Sequence, residues 1–235
     1  MRQLHLVQLY PQEMNIYGDT GNLLVLQRRL QWRGIDFRAS LVGIGDKLPK
    51  DADLIIGGGG QDAGQQLVET DLAAKAAELK AMGEAGVVML MICGMYQLFG
   101  DAFITADNET IRGAGILPLF TQAGNERLIG NIVVDSDFGE LVGYENHSGR
   151  TYIEEPARAF AKVVKGAGNN GEDGQEGVRL HNIFGSYMHG PILSKNPQLA
   201  DGLLGLAADR KSIKLATLDD TLEKQAALIA SKRPR

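Results

Sequence analysis

The amino-acid sequence predicts an α/β protein with a doubly wound, mostly parallel sheet flanked by helices. Short apolar segments alternate with helical segments through the first hundred residues, which is the pattern of βαβ units. The run GVVMLMIC at residues 86–93 is apolar throughout, as is typical of a central parallel strand buried on both faces. Glycines follow several of these runs, where strands end. With 235 residues and 44% hydrophobic content, the chain can form one sizeable core.

The first elements are predicted from alternation and from helical spacing. Residues 3–9 alternate between apolar and polar side chains and predict a strand. Residues 22–34 show helical spacing, and Gly34 is expected to end that helix. Residues 35–42 predict a second strand. The apolar face of the helix is expected to carry Leu23, Leu24, Leu26 and Leu30.

The next elements lead to the only cysteine. A short apolar strand is predicted before the four glycines at residues 57–60. The Ala-rich residues 62–84 predict a long helix that ends near Gly83. The apolar strand at 86–93 follows, and residues 94–100 predict the start of another helix.

The second half of the chain is richer in strands. Apolar β-type runs occur within residues 113–120, 127–136, 141–149, 160–166 and 177–190. The Gly-, Asn- and acid-rich stretch 165–177 predicts an exposed hairpin tip with poor order. Residues 196–208 predict a helix, and the tail predicts a last amphipathic helix that packs on the domain or on a partner. We therefore expect a domain over residues 1–210 and a C-terminal helical tail over residues 211–235.

Composition limits the function classes and the compartment. The net charge of −5 and a pI near 5.4 come without a basic patch, which disfavours nucleic-acid binding. A single cysteine excludes an intrachain disulfide and a Cys-rich metal site. The first residues are too polar for a signal peptide, and no apolar run is long enough for a membrane span. We therefore expect a cytoplasmic protein.

Cys93 is the first candidate catalytic residue. A lone cysteine is most often a small buried hydrophobe, but Cys93 directly follows an apolar strand and precedes Gly94. Such a turn lies at the carboxyl end of the sheet, where ligands bind in open α/β folds. Amides at the start of the following helix favour the thiolate, so we expect the pKa of Cys93 to be lowered. The position is that of a nucleophile elbow, with Cys in place of Ser.

Four histidines are candidates for the catalytic base. His5 and His181 lie within predicted strands and are expected to be structural. His189 lies in a Gly- and Pro-flanked loop directly after an apolar strand, where catalytic groups concentrate, and is the preferred base. His147, in the loop segment GYENHSGRT, is the alternative base.

The glycine-rich segment IIGGGGQD at residues 55–62 predicts an oxyanion hole. Backbone N–H groups without side chains in the way can stabilise a tetrahedral oxyanion. The amides of Gly59 or Gly60, together with that of Gly94, are the candidates. The ordinary alternative is a tight loop without a catalytic role. A phosphate-binding loop is disfavoured because no Gly-Lys-Ser/Thr follows.

The segments GGGGQD, ICGMYQ and YMHG, in this order, resemble the class-I, triad-type glutamine amidotransferases. In that family an elbow Cys is followed four positions later by Gln, as Cys93 is by Gln97. The family pattern has an acid two residues after the His, whereas this chain has Pro191 there, and GYENHSGRT with SYMHGP resembles the cobyric acid synthase branch, in which that acid is missing. The resemblance implies a flavodoxin-like fold and metal-free hydrolysis of glutamine by Cys93 and His189.

A finer resemblance covers residues 5–205. The motifs MNIYGDTGN, GGGQD, GNERLIGN, GYENHSGRT and SYMHGPILSKNP together are similar to the GatD-type glutaminase subunits of lipid II isoglutaminyl synthase. That family implies a heterodimer with a Mur-ligase-like MurT synthetase, which binds ATP and Mg²⁺ and uses ammonia to convert the D-glutamate of lipid II to D-isoglutamine in peptidoglycan synthesis. It implies no cofactor on this chain and a location near the inner membrane face, through lipid II.

The same resemblance implies further site residues. The partner is expected to supply the acid that orients His189, with Glu145 or Glu154 of this chain as alternatives. Arg127, in GNERLIGN, is the candidate for binding the substrate carboxylate, because Arg can grip it bidentately; a solvated surface Arg is the ordinary alternative. The other substrate-binding candidates are Gln97, for the substrate amide or for packing, and Asn146 and His147, at the entrance or the ammonia exit.

Other functions remain open on the sequence alone. One is an amidotransferase for a cobyric acid-type synthetase, although this chain has no ATP-binding loop of its own. Another is a stand-alone cysteine γ-glutamyl hydrolase. A third is a non-catalytic, partner-binding scaffold, whose cysteine would be inert at neutral pH, whereas an elbow thiolate reacts.

Overall fold

Two β-sheets organise residues 3–234, which the computed structural model describes. In chain order, the first half forms β1 (Leu4–Leu9), α1 (Thr20–Trp32), β2 (Phe37–Val42), β3 (Leu54–Gly57), α2 (Asp62–Glu84), β4 (Val88–Ile92), α3 (Gly94–Phe99), β5 (Ala102–Ile104) and β6 (Thr110–Arg112). The second half forms β7 (Leu119–Ser136), β8 (Gly139–Ile153), β9 (Ala161–Lys165), β10 (Gln175–Glu176), β11 (Val178–Leu180), β12 (Ile183–Ser186), β13 (Met188–His189), α4 (Ile192–Lys195), α5 (Pro197–Asp209) and α6 (Thr221–Ser231).

The first sheet confirms the predicted α/β core. Its six strands lie in the order β11-β12-β4-β3-β1-β2, and only the edge strand β11 pairs in the antiparallel sense. Strand β4 lies inside this sheet and every one of its residues is buried, as its unbroken apolar sequence predicts. Because β1, β3, β4 and β12 run parallel, the loops that follow them meet at one edge of the sheet.

The second sheet was not predicted as a separate sheet. Strands β7 and β8 are long and antiparallel, and Ser136 pairs with Gly139 across a two-residue turn. Strands β9 and β5 both pair with β7, β10 pairs with β9, β6 pairs with β5, and β13 pairs with β8. Strands β7 to β10 and β13 of the second half therefore join β5 and β6 in a separate sheet, because a tight turn pairs β7 and β8 locally in the antiparallel sense, while β11 and β12 extend the first sheet.

The predicted apolar face of α1 was wrong at one residue. Leu23, Leu26 and Leu30 are buried, but Leu24 is 59% exposed. Consecutive residues on a helix do not share a face, so Leu23 and Leu24 point in different directions.

The prediction of an exposed tip at residues 165–177 was wrong for most of the segment. Only residues 171–175 are exposed throughout. Asn169 is fully buried, where its side chain donates to the carbonyl of Gly177 at 3.0 Å and accepts the amide of Gly177 at 2.8 Å. The polar Asn residue is buried here because it supplies the hydrogen bonds that the bent backbone lacks.

The predicted tail helix is present as α6, which contacts α4, β7 and β8. Just before it, Asp220 forms an ion pair with the buried Arg29 of α1 at 2.7 Å. The division into residues 1–210 and 211–235 stays a prediction. Within residues 3–234, no helix combines the length and the apolar character needed to cross a membrane.

Candidate active site

A cavity of about 540 Å³ lies at the edge where the loops after the parallel strands meet. Its wall combines the segment after β1, the glycine loop after β3, the cysteine after β4 and the β7–β8 hairpin. Eight of the residues that line it are Tyr17, Gly60, Gln65, Cys93, Gln97, Arg127, Asn146 and His147. Six of these were predicted as site residues; Tyr17 and Gln65 were not.

Cys93 has the backbone geometry of a nucleophile elbow. Its φ of 51° and ψ of −106° lie outside the regions that a non-glycine residue normally adopts. The strain is held by the neighbouring backbone: the Cys93 amide donates to Ser186 of β12 at 2.9 Å, and the Cys93 carbonyl accepts the Gln97 amide at 3.0 Å. Strained residues of this kind cluster at functional sites.

The predicted lowering of the Cys93 pKa was wrong for this structure. Burial of the thiol raises its pKa to about 12, and the nearby carboxylates of Asp19 and Glu176 act in the same direction. The Gly94 amide and the Arg127 charge do favour the thiolate, as expected, but they are outweighed. Cys93 is therefore a thiol in this structure, because burial disfavours the charged form.

Gly59 marks the point where the predicted catalytic segments converge. A Cβ atom at this glycine would lie 3.2 Å from His189 Cε1 and 3.3 Å from Cys93 Cβ. Any side chain here would fill the space between the two residues. The structure therefore brings Cys93, His189 and the glycine loop together, although they lie far apart in the sequence.

His189 is a buried, neutral imidazole. It is 1% exposed, and neither ring nitrogen has a hydrogen-bond partner within the described residues. Burial and the Arg127 charge lower its pKa to about 4, so it is unprotonated and able to accept a proton at neutral pH. The Tyr17 ring packs on it with ring centroids 4.1 Å apart.

The acid that orients His189 is absent from the described part of this chain. Glu145 and Glu154, the two alternatives, make no hydrogen bond to the His189 ring. The Glu145 carboxylate instead accepts the amides of Ala167 and Gly168, each at 2.9 Å. Glu154 is exposed at the end of β8.

His147 remains an alternative base. Its Nδ1 lies 2.8 Å from the Gly149 carbonyl, and its ring stacks on Tyr187 with centroids 3.6 Å apart. The Nδ1–H therefore donates to that carbonyl, and Nε2 is an unpartnered acceptor within the described residues. Burial lowers the pKa of His147 to about 3. The other two histidines are elsewhere: His5 contacts Ser40 and Asp51, and His181 is exposed.

The three oxyanion candidates differ in their present contacts. The Gly94 amide faces the Cys93 thiol, and the Gly60 amide makes no hydrogen bond within residues 3–234. The Gly59 amide, by contrast, donates to the Asp19 carboxylate at 2.7 Å. Gly59 is therefore not a free oxyanion donor in this structure, which leaves Gly60, the other predicted candidate, beside Gly94.

Arg127 is held at the cavity wall. It lies within the irregular part of β7, where the register with β8 shifts, and such a bulge can redirect a side chain toward a site. Its Nε and terminal nitrogen donate to the Asn146 side chain at 3.0 and 2.9 Å. The contact supports the assignment of Asn146 to the site, because it fixes the guanidinium fork in the cavity.

Gln97 belongs to a buried hydrogen-bonded chain behind Cys93. Its Oε1 accepts Gln65 Nε2 at 2.9 Å, and its Nε2 donates to the Tyr187 hydroxyl at 3.1 Å. The chain continues from Tyr187 to Thr151 at 2.6 Å. Gln97 thus packs the elbow helix against the second sheet while also lining the cavity.

Three site residues were missed by sequence reasoning. Asp19 and Tyr17 lie in MNIYGDTGN, which had been assigned only as a family motif. Its place after β1 was the available signal, because the carboxyl ends of parallel strands share an edge. Gln65 had no such signal. Within residues 3–234, no group of three or more His, Cys, Asp or Glu side chains could hold a metal ion.

Comparisons with known proteins show the family to which the chain belongs. Residues 5–197 match the CobB/CobQ-like glutamine amidotransferase domain. The chain is 38% identical, over 96% of its length, to the Staphylococcus aureus protein named lipid II isoglutaminyl synthase (glutamine-hydrolyzing) subunit GatD, 94% of which is covered. The Streptococcus pneumoniae protein of the same name is also 38% identical, with 96% and 89% of the two chains covered. A probable cobyric acid synthase of Methanococcus maripaludis is 31% identical over 59% of this chain and 30% of its own length.

Solved structures share the fold at low sequence identity. One glutamine amidotransferase structure has a TM-score of 0.59 at 16% identity, over 86% of this chain and 98% of the other. Another, from Thermotoga maritima, has a TM-score of 0.56 at 14% identity, over 97% and 93%. These likenesses confirm the predicted fold class.

Proposed function

This chain belongs to the CobB/CobQ-like glutamine amidotransferase family, and from that premise we propose that it is the glutaminase subunit of a lipid II isoglutaminyl synthase. It hydrolyses L-glutamine and delivers the ammonia to a Mur-ligase-like MurT synthetase, which amidates the D-glutamate of lipid II to D-isoglutamine. Identity of 38% across nearly the full length of two proteins with that name supports the acceptor. The single observation that carries the glutaminase chemistry is the convergence of Cys93 and His189 at Gly59.

In the proposed mechanism, glutamine enters the cavity and Arg127 binds its α-carboxylate. His189 takes the proton from Cys93, and the sulfur attacks the side-chain amide carbon. The carbon–nitrogen bond then breaks as His189 returns the proton to the leaving ammonia, which leaves a γ-glutamyl thioester. A water molecule, deprotonated by His189, then attacks the thioester carbon; the carbon–sulfur bond breaks, glutamate is released, and His189 returns the proton to the Cys93 sulfur. The neutral state of both residues in the structure matches this starting point.

The oxyanion is stabilised in this proposal by the amides of Gly60 and Gly94, with Gly59 as a further donor when its amide is free. Gln97 contacts the substrate amide, and Asn146 and His147 line the entrance or the ammonia exit. All of these residues except Gly59 and Gly94 line the cavity.

The partner is proposed to complete the catalytic site. His189 has no acid partner within the described residues, and Pro191 occupies the position where the family pattern has one. An acid from the synthetase would orient the His189 ring and stabilise its protonated form, as a buried carboxylate does in a catalytic triad. In this proposal ATP and Mg²⁺ bind to the partner, and this chain carries no cofactor of its own.

The experiment that tests this function follows the nitrogen atom. The chain is purified from its native cell with its bound synthetase, and the complex receives glutamine labelled with ¹⁵N in the side-chain amide, ATP, Mg²⁺ and lipid II. We expect ¹⁵N in D-isoglutamine. In the control, a Cys93→Ala complex supplied with ¹⁵N-ammonium still amidates lipid II. Co-purification with a cobyric acid-type synthetase, or ammonia release without transfer to any acceptor, would contradict the proposal.

A further inference from the structure

Asp19 is a buried carboxylate inside the candidate site, and the proposed mechanism gives it no role. It lies in the loop between β1 and α1 and is 0% exposed. Its Oδ2 accepts the Gly59 amide at 2.7 Å. Its other oxygen, Oδ1, is buried and has no hydrogen-bond partner within the described residues. Only one of the two carboxylate oxygens is therefore hydrogen-bonded, which is energetically unfavourable for a buried charged group.

The glycine loop is shaped around this carboxylate. A Cβ atom at Gly58 would lie 2.7 Å from Asp19 Cβ, so only glycine permits this approach. A Cβ atom at Gly59 would lie 3.4 Å from Asp19 Oδ2, on the same side as Cys93 and His189. Asp19 thus accepts the hydrogen bond of the Gly59 amide, which the oxyanion hole would use, next to the candidate catalytic side chains of Cys93 and His189.

The Asp19 carboxylate also acts on Cys93, although burial raises the pKa of Asp19 itself and so makes its negative charge less favourable than that of a surface carboxylate. After burial, Asp19 is the strongest influence that raises the pKa of the thiol. Several elements place charged or titratable groups around Cys93, so the effect of Asp19 on the Cys93 pKa has to be separated from that of the others. They are Asp19, Tyr17, Arg127, Glu176, Tyr187 and His189.

We propose that Asp19 is a positioning residue that keeps the site of the isolated chain in a resting state. It holds the Gly59 amide away from the substrate and places a negative charge beside the sulfur of Cys93. Glutamine hydrolysis requires the Asp19 carboxylate to release Gly59, which frees a third oxyanion donor and favours ionisation of the thiol. Release breaks the only hydrogen bond that the Asp19 carboxylate makes within the described residues, so the released carboxylate needs a new hydrogen-bond donor. The inference rests on the proposed function of Cys93 as the nucleophile.

The test measures how fast iodoacetamide alkylates Cys93 as a function of pH, in the full chain. Asp19→Asn removes the charge but keeps an oxygen that can accept the Gly59 amide. We expect the midpoint of its pH profile to fall below that of the wild-type chain. If the midpoint falls by one pH unit, alkylation at a pH below both midpoints becomes about tenfold faster. Asp19→Ser, a second neutral variant, should move the midpoint in the same direction. A purely structural role would not move this profile.

The matched control is Asp62→Asn, because Asp62 is an exposed carboxylate at the rim of the same cavity. Water screens its charge, so the midpoint should stay near the wild-type value. An unchanged midpoint in both Asp19 variants, or an equal change in Asp62→Asn, would overturn the role of Asp19. The assay involves no glutamine, so it is independent of glutaminase activity: activity that survives in Cys93→Ala would overturn the proposed function instead.

Discussion

At the scale of single residues, burial decides the protonation state of the candidate catalytic pair. Cys93 has a pKa raised to about 12 and His189 a pKa lowered to about 4. Between these values the resting pair is a thiol and a neutral imidazole rather than a thiolate and an imidazolium. Proton transfer must therefore accompany substrate binding or attack, and the residue that accepts the proton can be identified by substitution.

His189→Ala should slow the labelling of Cys93 by a glutamine-analogue electrophile, because in the proposed mechanism the neutral His189 imidazole takes the thiol proton. Loss of a general base typically costs about 10²–10⁴-fold in rate. His147→Ala is the matched variant, since His147 is also buried and lines the cavity that Cys93 lines. If labelling stays fast in His189→Ala and becomes slow in His147→Ala, then His147 is the base.

Arg127→Ala should slow the labelling of Cys93 by about 10- to 100-fold when the reagent is a glutamine analogue with an α-carboxylate. This factor corresponds to the usual binding free energy of a charged hydrogen-bonded pair. Iodoacetamide has no carboxylate, so its reaction with Cys93 reports any general change in the thiol. Arg127→Lys keeps the charge but loses the bidentate fork held by Asn146, and should give an intermediate rate. If both reagents slow by the same factor, Arg127 does not bind the carboxylate.

Sequence reasoning placed in the site the residues whose position follows from the local sequence, and missed those whose position depends on distant contacts; the roles of both stay predictions. Cys93 follows a buried strand and His189 follows an apolar one, so both could be assigned from the chain alone. Asp19 meets Gly59 across 40 residues, and no local pattern encodes that hydrogen bond. Burial, and after it the Asp19 charge, explains why the predicted pKa of Cys93 had the wrong direction: the helix amide was visible in the sequence, but these two causes were not.

At the scale of elements, a buried guanidinium joins three segments of the chain. Arg29 of α1 forms ion pairs with Asp201 of α5 at 2.6 Å and with Asp220 before α6 at 2.7 Å. The Arg29 side chain is 2% exposed, so its charge is compensated by these two carboxylates rather than by water. The contact anchors the segment before the tail helix onto the core.

Arg29→Ala should lower the free energy of unfolding by about 3–5 kcal/mol, because it leaves the partly buried Asp220 without its ion-pair partner and Asp201 with Arg33 alone. Arg28→Ala is the control: Arg28 is adjacent to Arg29 but less buried, and its removal should change the free energy by less than about 0.5 kcal/mol. Urea unfolding of both variants measures the difference. Equal losses in the two variants would show that the buried ion pairs add nothing beyond an ordinary surface arginine.

Strands and helices could be predicted where their sequence pattern is local. Strand β4 and helix α2 could be assigned from an apolar run and from Ala-rich helical sequence. Whether β7 to β9 extend the parallel sheet or start a new one depends on pairing between distant residues, and the sequence pattern is the same in both cases. The register shift in β7 that places Arg127 at the cavity was likewise invisible without the partner strand.

At the scale of the whole molecule, the site is assembled from loops at one edge of the parallel sheet and from the second sheet. The candidate nucleophile Cys93 and the candidate substrate-binding Arg127 line one cavity, and the candidate base His189 lies next to Cys93 at Gly59. An acid for His189 is absent from the described residues, and the Gly59 amide is occupied by Asp19. This combination is what we expect of a glutaminase that becomes fully active only with its synthetase bound.

The most direct test is the release of glutamate from glutamine by the complex with the synthetase, using the wild-type chain and Cys93→Ala. We predict that the variant binds the partner and keeps its unfolding midpoint, while its glutaminase rate falls on the order of 10⁴-fold or more, as when a catalytic nucleophile is removed. A Cys93→Ala complex that still releases glutamate at a rate near that of the wild type would contradict the assignment of Cys93 as the nucleophile.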